Sequence, residues 1–331
     1  MNRFVKCTAG ILGAAIMMSL SSCGDTGWTY RAGNSEITSG MYIGLSIDAL
    51  QSAYSAEGVE SSSSVFKQQV EGQNGLDWVV SKTAGLAREY LAIEEKFNEL
   101  GLSFTAEEQA SIDSYVEAYW GYLSSMYEDK GCGQASFKKL LTNTEKRQKI
   151  FEALYNEGGE RAVDEAELKA VYEKDYVKAV YISVPLIDDN RQALEGEELE
   201  KQKKAAEDLL KEIQDGKDIE QVKADFESSE GSGTAADTAE YIYREGGYPE
   251  ALTKALFDAK DGDSGKTESG SYLYVWQKLK LDDAGFDQVK GTILSREKNE
   301  EYAELVTQWG SELAVTENQA GIRKHSPKNL E

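Results

Sequence analysis

The sequence predicts an α+β fold in which a helical body is interrupted by a small β-rich segment. Three observations predict it. Apolar residues recur at helical spacing over 77–100, β-branched and aromatic runs alternate with helical patterns over 178–281, and a long helical pattern follows residue 282. The β-rich segment has the order β-α-α-β-α-β and about 100 residues, a common size for one domain. The whole chain, with 331 residues, is long enough for two domains.

Several helices are predicted before the β-rich segment. They cover 41–56, 77–100, a stretch that opens at Thr105, 136–156 and 164–175. Gly101 is expected to end the second helix, and Thr105 with Glu108 has the spacing of a capping box. The third helix is expected to bury one apolar face, because aromatic stripes at helical spacing usually belong to a core. That face comprises Ile112, Tyr115, Val116, Tyr119, Leu123 and Met126.

The β-rich segment begins with a predicted strand at 180–185. A charged helix ending at Gly216 follows, and the remaining elements are a helix at 219–227, a strand at 241–243, a helix at 250–259 and a strand at 271–281. In the last strand Tyr272, Tyr274 and Trp276 alternate with Leu273 and Val275, which predicts two different faces. The final long helix is expected to run to about residue 314.

Composition excludes several classes of function. The chain has 59 acidic and 36 basic residues and a formal charge of −23, so phosphate backbones would repel it and no nucleic-acid partner is expected. His325 is the single histidine, which excludes His-based triads and His-rich zinc sites. The sequence has neither common type of phosphate-binding glycine loop. We therefore expect no cofactor and no metal.

The first 22 residues have the pattern of a lipoprotein export signal. Arg3 and Lys6 supply positive charge, 7–18 is a short apolar core, and 20–23 (Leu-Ser-Ser-Cys) resembles a lipobox, in which Cys23 is acylated after cleavage. The apolar run is too short for a membrane-spanning helix of about 20 residues. We therefore expect a mature chain that begins at Cys23 and is held on the outer side of the cell membrane by acyl chains such as palmitate.

Beyond the signal, the chain resembles the parvulin-type peptidyl-prolyl isomerase family, in the layout of extracytoplasmic foldases of the PrsA and SurA type. The resemblance covers most of the mature chain. Its best segment is the helix at 252–257 followed by Gly-Asp-Ser at 262–264, with Leu252 where the family usually has phenylalanine. The other segments that carry it are 33–42, the helix joint at 101–108, and 218–226.

The resemblance implies four domains. They are a lipoprotein signal peptide at 1–22, an N-terminal helical chaperone-like domain at 23–176, a parvulin-like domain at 177–282, and a C-terminal helix and tail at 283–331 that packs on the N-terminal domain. For the parvulin-like domain, the resemblance implies a small antiparallel sheet packed by helices.

Both family histidines are missing. On this alignment Tyr181 and Tyr272 occupy their positions, and Leu252 and Phe257 are candidates for the wall of a proline pocket. A prolyl isomerase must bind a twisted amide better than a planar one, with an apolar pocket and placed hydrogen-bond donors. Tyrosine can donate a hydrogen bond, but its larger ring would fill part of such a pocket. Isomerase activity is therefore expected to be weak or absent.

The leading hypothesis is a membrane-tethered foldase or chaperone that binds exported, unfolded polypeptides through exposed aromatic residues. One alternative is an active prolyl isomerase that uses Tyr181 and Tyr272 in place of the histidines. Another is a dedicated assembly partner in which the parvulin-like domain is only a docking surface. A solute-binding lipoprotein is disfavoured, because long amphipathic helices replace the repeated β-α units that two solute-binding lobes need.

Overall fold

A computed structural model of the chain describes residues 27–229 and 239–330, with the backbone alone at 229. The mixture of helices and antiparallel sheets confirms the predicted α+β class. Within those two stretches, no helix has both the length and the apolar character needed to cross a membrane. The predicted export signal and the predicted lipidation site, Cys23, lie outside the described residues.

The helices and strands are as follows. The helices are α1 (Ser39–Tyr54), α2 (Gly75–Glu99), α3 (Ala106–Glu128), α4 (Gln134–Tyr155), α5 (Glu165–Asp175), α6 (Gly196–Gln214), α7 (Ile219–Ser229), α8 (Glu250–Asp258), α9 (Asp283–Glu312) and α10 (Gln319–Lys324). The strands are β1 (Trp28–Ala32), β2 (Ser35–Thr38), β3 (Gln69–Val70), β4 (Gln73–Asn74), β5 (Tyr176–Pro185), β6 (Glu240–Tyr243), β7 (Ser264–Ser269), β8 (Tyr272–Leu279) and β9 (Thr316–Glu317).

The chain divides into two compact units. The first comprises Met1–Glu152 with Ala303–Glu331, and the second comprises Ala153–Tyr302. Helices α4 and α9 each begin in one unit and end in the other. The domain limits that the resemblance implies, at 177 and 282, stay predictions.

The first unit packs helices α1 to α4 with a small sheet of order β2-β1-β9. Helix α3 begins at the predicted capping box: the Glu108 N–H donates to Thr105 Oγ1 at 3.2 Å, and the Thr105 N–H donates to Glu108 Oε2 at 2.7 Å. Gly101 follows the end of α2 with φ +65°, the left-handed conformation that glycine adopts at low cost. The sequence therefore predicted both limits of the α2–α3 joint.

The second unit is built on an antiparallel sheet of order β6-β5-β8-β7. On one face, Ile182 and Val275 pack with α6 and α7. On the other face, Tyr274 and Trp276 pack with α8. The predicted alternation of β8 is confirmed, because its odd- and even-numbered residues enter different clusters.

Strand β7 is the element of this sheet that sequence patterns did not predict. Its sequence, Ser-Gly-Lys-Thr-Glu-Ser, has no apolar alternation, because it is an edge strand with a partner only on one side. Gly265 is needed there, since a Cβ at that position would lie 2.5 Å from the ring of Trp276. The glycine thus lets the edge strand approach the indole closely.

Candidate functional site

Tyr181 and Tyr272, which the sequence resemblance places at the family's histidine positions, lie on one face of the second unit's sheet. Tyr181, in β5, is opposite Trp276, and Tyr272, in β8, is opposite Pro185. The two tyrosines are therefore four positions apart along the strand pair. Tyr274 lies between them, with its ring centroid 5.9 Å from that of Tyr181 and 6.0 Å from that of Tyr272.

The hydroxyl groups near Tyr181 converge on one carboxylate. Tyr248 donates to Glu240 Oε2 at 2.8 Å, and Tyr181 donates to the same oxygen at 3.4 Å. The ring of Tyr181 meets that of Tyr248 edge-on, at 6.4 Å. Burial, followed by the charge of Glu240, raises the pKa of Tyr181 well above its usual value. Burial and the hydrogen bond to Glu240 raise the pKa of Tyr248 to about 12, so both hydroxyls keep their protons.

The two predicted pocket residues differ in exposure. Leu252, in α8, is completely buried and packs beneath Tyr274 and Trp276. Phe257, in the same helix, is half-buried at the edge of that cluster, and the guanidinium carbon of Arg244 lies 3.9 Å from its ring centroid. Leu252 thus supports the sheet from below, and Phe257 is the one that keeps some contact with solvent.

This face offers few hydrogen-bond donors to a twisted amide. The Tyr181 hydroxyl donates to Glu240, and the Tyr181 ring is packed between Tyr248 and Tyr274. Tyr272 differs, since it is 37% exposed and its hydroxyl makes no hydrogen bond with any residue that the structure describes. In residues 27–229 and 239–330 there is also no cluster of His, Cys, Asp and Glu that could hold a metal ion.

A second tyrosine-rich surface lies on α3 of the first unit. The side chains of Tyr115, Tyr119 and Met126 are 44%, 42% and 43% exposed, and Tyr122 is 87% exposed. We call these four residues the tyrosine ridge. The rings of Tyr115 and Tyr119 lie 4.2 Å apart between centroids, so these two side chains form one aromatic surface on the helix.

The prediction that Tyr115, Tyr119 and Met126 belong to the core is wrong. Helix α3 carries two apolar stripes, offset by one residue and therefore by about 100° around the helix axis. A helix that packs on one side can bury only one of them. The buried or half-buried stripe is Ile112, Val116, Trp120, Leu123 and Tyr127, and the ridge is the other. The spacing of 115, 119, 122 and 126 was the signal for a second stripe.

Two cavities adjoin the ridge, one lined by Tyr115 and the other by Tyr119. One, of about 500 Å³, is lined by Tyr115, Phe104 and Ile112 and by several glutamates. The other, of about 340 Å³, is lined by Tyr119 and Leu123 and reaches into the unit between its helices. The exposed rings therefore stand beside recesses that could receive side chains of a bound polypeptide.

Comparisons with known proteins give one kind of match. No protein-family model matches the sequence, and no curated protein matches it. The solved structures to which the chain is similar include PrsA foldases. They are of the type that the sequence motifs resemble.

Three such structures show the extent of the similarity. PrsA from Bacillus subtilis is 19% identical, with 76% of this chain and 92% of that chain covered and a TM-score of 0.36. The foldase protein PrsA from Lactococcus lactis is 13% identical, with 92% and 100% covered and a TM-score of 0.42. The foldase protein PrsA from Streptococcus pneumoniae is 13% identical, with 73% and 87% covered and a TM-score of 0.40.

Proposed function

We propose that this protein is a membrane-tethered, extracytoplasmic chaperone of the foldase type that binds exported, unfolded polypeptides. The observation that carries the proposal is the tyrosine ridge, where four large side chains are exposed in one row on a helix that packs through its other apolar stripe. The lipobox-like sequence that ends at Cys23 supports the tether, and the parvulin-like motifs support the foldase class.

The ridge suits contacts that tolerate many sequences. A row of exposed aromatic side chains on one element is typical of a surface that binds another molecule. A tyrosine ring offers a large contact area, loses little rotamer entropy on binding, and keeps a polar hydroxyl in water. A surface of this kind can hold unfolded segments weakly and release them, as a chaperone must.

Suppression of aggregation tests the proposal. We expect the detergent-solubilised full chain to slow the aggregation of a chemically unfolded client. The triple variant Tyr115→Ser, Tyr119→Ser, Tyr122→Ser should lose most of that effect and keep its unfolding midpoint. Tyr272→Ser is the matched control, because it removes an exposed tyrosine from the sheet of the other unit. Equal protection by the wild type and the triple variant would contradict the proposal.

A second candidate function is an active prolyl isomerase that uses tyrosines. One observation favours it: Tyr272 is exposed, and its hydroxyl is not engaged by any residue in the described part of the chain. The engagement of Tyr181 by Glu240 favours weak or absent activity instead. The chaperone proposal does not depend on which of these holds.

A further inference from the structure

The smaller of the two cavities beside the ridge is a recess between helices of the first unit, with leucine walls and a few charged side chains. Its volume of about 340 Å³ is near the lower end of the ~300–1,000 Å³ range that ligand pockets commonly have. Each of helices α1 to α4 contributes a wall residue: Leu45, Ile93, Leu123 and Leu140. Tyr119 of the ridge also lines it, so the recess is continuous with the exposed surface.

One carboxylate that lines this recess has no ion-pair partner among the described residues. Asp48, in α1, accepts a hydrogen bond from the Tyr127 hydroxyl at Oδ1, at 2.7 Å. Within the described residues, no group donates to its other oxygen, Oδ2. The other charged residues that line the recess, Glu89 and Arg147, pair with each other at 3.4 Å. The carboxylate of Asp48 therefore has no cationic partner in the described part of the chain, and its second oxygen is open to a group that enters the recess.

We propose that this recess binds the cationic side chain, arginine or lysine, of an unfolded polypeptide whose neighbouring residues lie along the tyrosine ridge. The proposal rests on the proposed chaperone function and adds the chemical class of the client. The aliphatic stem of the side chain packs against Leu45 and Leu123, and its charged end donates a hydrogen bond to Asp48 Oδ2.

Three further features fit a cationic client. Burial raises the pKa of Asp48, so the ionised carboxylate is poorly solvated and gains from a cation that replaces water. The faces of Tyr115 and Tyr119 attract guanidinium groups through cation–π interactions. The larger cavity beyond Tyr115 is also lined by carboxylates, Glu107 and Glu145 among them. Basic segments are then favoured over acidic ones along the whole ridge.

Binding of matched peptides tests the inference. The probes are two blocked heptapeptides with the same leucine and tyrosine residues, one with a central arginine and the other with citrulline, its neutral near-isostere. Titration calorimetry with the detergent-solubilised full chain should show about tenfold tighter binding of the arginine peptide, which corresponds to about 1.4 kcal/mol. In Asp48→Asn the preference should fall to less than about twofold.

Both variants should fold, so a change in peptide preference reports on binding and not on loss of structure. Asp48→Asn keeps an oxygen that can accept from Tyr127, so the unit should fold. Glu117→Gln is the matched control, because it removes one negative charge from an exposed position on α3 that does not line the recess. It should leave the arginine preference unchanged. An equal loss of preference in both variants would mean general charge attraction and would overturn the inference.

Two further outcomes would overturn the inference. If neither peptide binds, or if both bind equally to the wild type, the recess does not select cations and the inference is overturned. Protection of an aggregating client that depends on the ridge would still support the proposed function. Light scattering is measured in parallel. A dimer that dissociates in the triple ridge variant would mean that a second copy of the chain covers this surface, and that too would overturn the inference.

Discussion

The two tyrosine-rich surfaces of this protein differ in what their hydroxyl groups contact. On the sheet of the second unit, Tyr181 and Tyr248 donate to the carboxylate of Glu240. On the ridge of the first unit, Tyr115 and Tyr119 interact with each other. Tyr181 and Tyr248 are half-buried and bonded within their unit, whereas the ridge is exposed on a helix whose other stripe is in the core.

The difference shows how one residue type can serve packing in one place and recognition in another. A tyrosine whose hydroxyl is held by a carboxylate, and whose ring meets other rings edge-on, adds stability and has little left to offer a ligand. A tyrosine that is exposed on a rigid helix gains contacts only when something binds. Of the two positions that the family resemblance selects, Tyr181 belongs to the first kind, whereas Tyr272 is exposed as the ridge is.

The largest effect expected from this comparison is on stability. Leu252→Ala should lower the free energy of unfolding by about 2–5 kcal/mol, because it opens a cavity under the sheet tyrosines. Tyr115→Ala should change it by no more than about 0.5 kcal/mol, as is usual at exposed positions. Urea unfolding, followed by circular dichroism, measures both. If Tyr115→Ala lowers the free energy of unfolding as much as Leu252→Ala does, the ridge is a packed surface and does not differ from the sheet in this respect.

The contrast could be predicted from the sequence only in part. The two faces of β8 were predictable, because Tyr272, Tyr274 and Trp276 alternate with Leu273 and Val275 along a pleated strand. The capping box at Thr105 was predictable because it depends on residues close in sequence.

The ridge was not predictable from local patterns. Helix α3 has two apolar stripes, and periodicity cannot decide which of them faces the core. That choice depends on residues distant in sequence, such as Ile47 and Phe137, which belong to the same core cluster as the buried stripe. The hydrogen bond between Tyr181 and Glu240 likewise joins residues 59 positions apart, and no spacing rule relates them.

A smaller effect is expected where another tyrosine of the second unit meets a carboxylate. Asp282 accepts from Lys178 at 2.7 Å, from the Gly285 N–H at 2.8 Å and from the Tyr241 hydroxyl at 2.9 Å. These contacts, the one with Lys178 foremost, lower the pKa of Asp282 to about 2. The Asp282 carboxylate is therefore protonated at higher pH in the unfolded chain than in the folded one. The stability that its contacts contribute is fully present above the ordinary pKa of an aspartate and is lost as the pH falls from about 4 to about 2.

Asp282→Asn keeps an oxygen that can accept from the Gly285 N–H but removes the charge that faces Lys178. Because the Asp282 side chain is partly exposed, the variant should cost about 0.5–1 kcal/mol at neutral pH and should flatten the acid part of the stability curve. Asp283→Asn is the control, because Asp283 is highly exposed and its ion pair with Lys169 lies at the surface. It should change stability by less than about 0.5 kcal/mol. Unfolding midpoints between pH 2 and 7 give both values. If the two variants have the same pH profile, the contacts of Asp282 do not tie α9 to the sheet unit.

The smallest effect is expected on prolyl isomerisation, and it tests the contrast most directly. The double variant Tyr181→Phe, Tyr272→Phe removes both hydroxyls and keeps both rings, so the sheet should keep its packing. Because Tyr181 already donates to Glu240, we expect exchange NMR on short X-Pro peptides to show cis/trans rates close to the uncatalysed rate for the wild type and the variant alike. Acceleration by the wild type that disappears in the double variant would make the sheet tyrosines a catalytic surface. Acceleration that persists in the variant would place the activity elsewhere on the sheet, and peptide binding without acceleration would leave recognition as the role of that face.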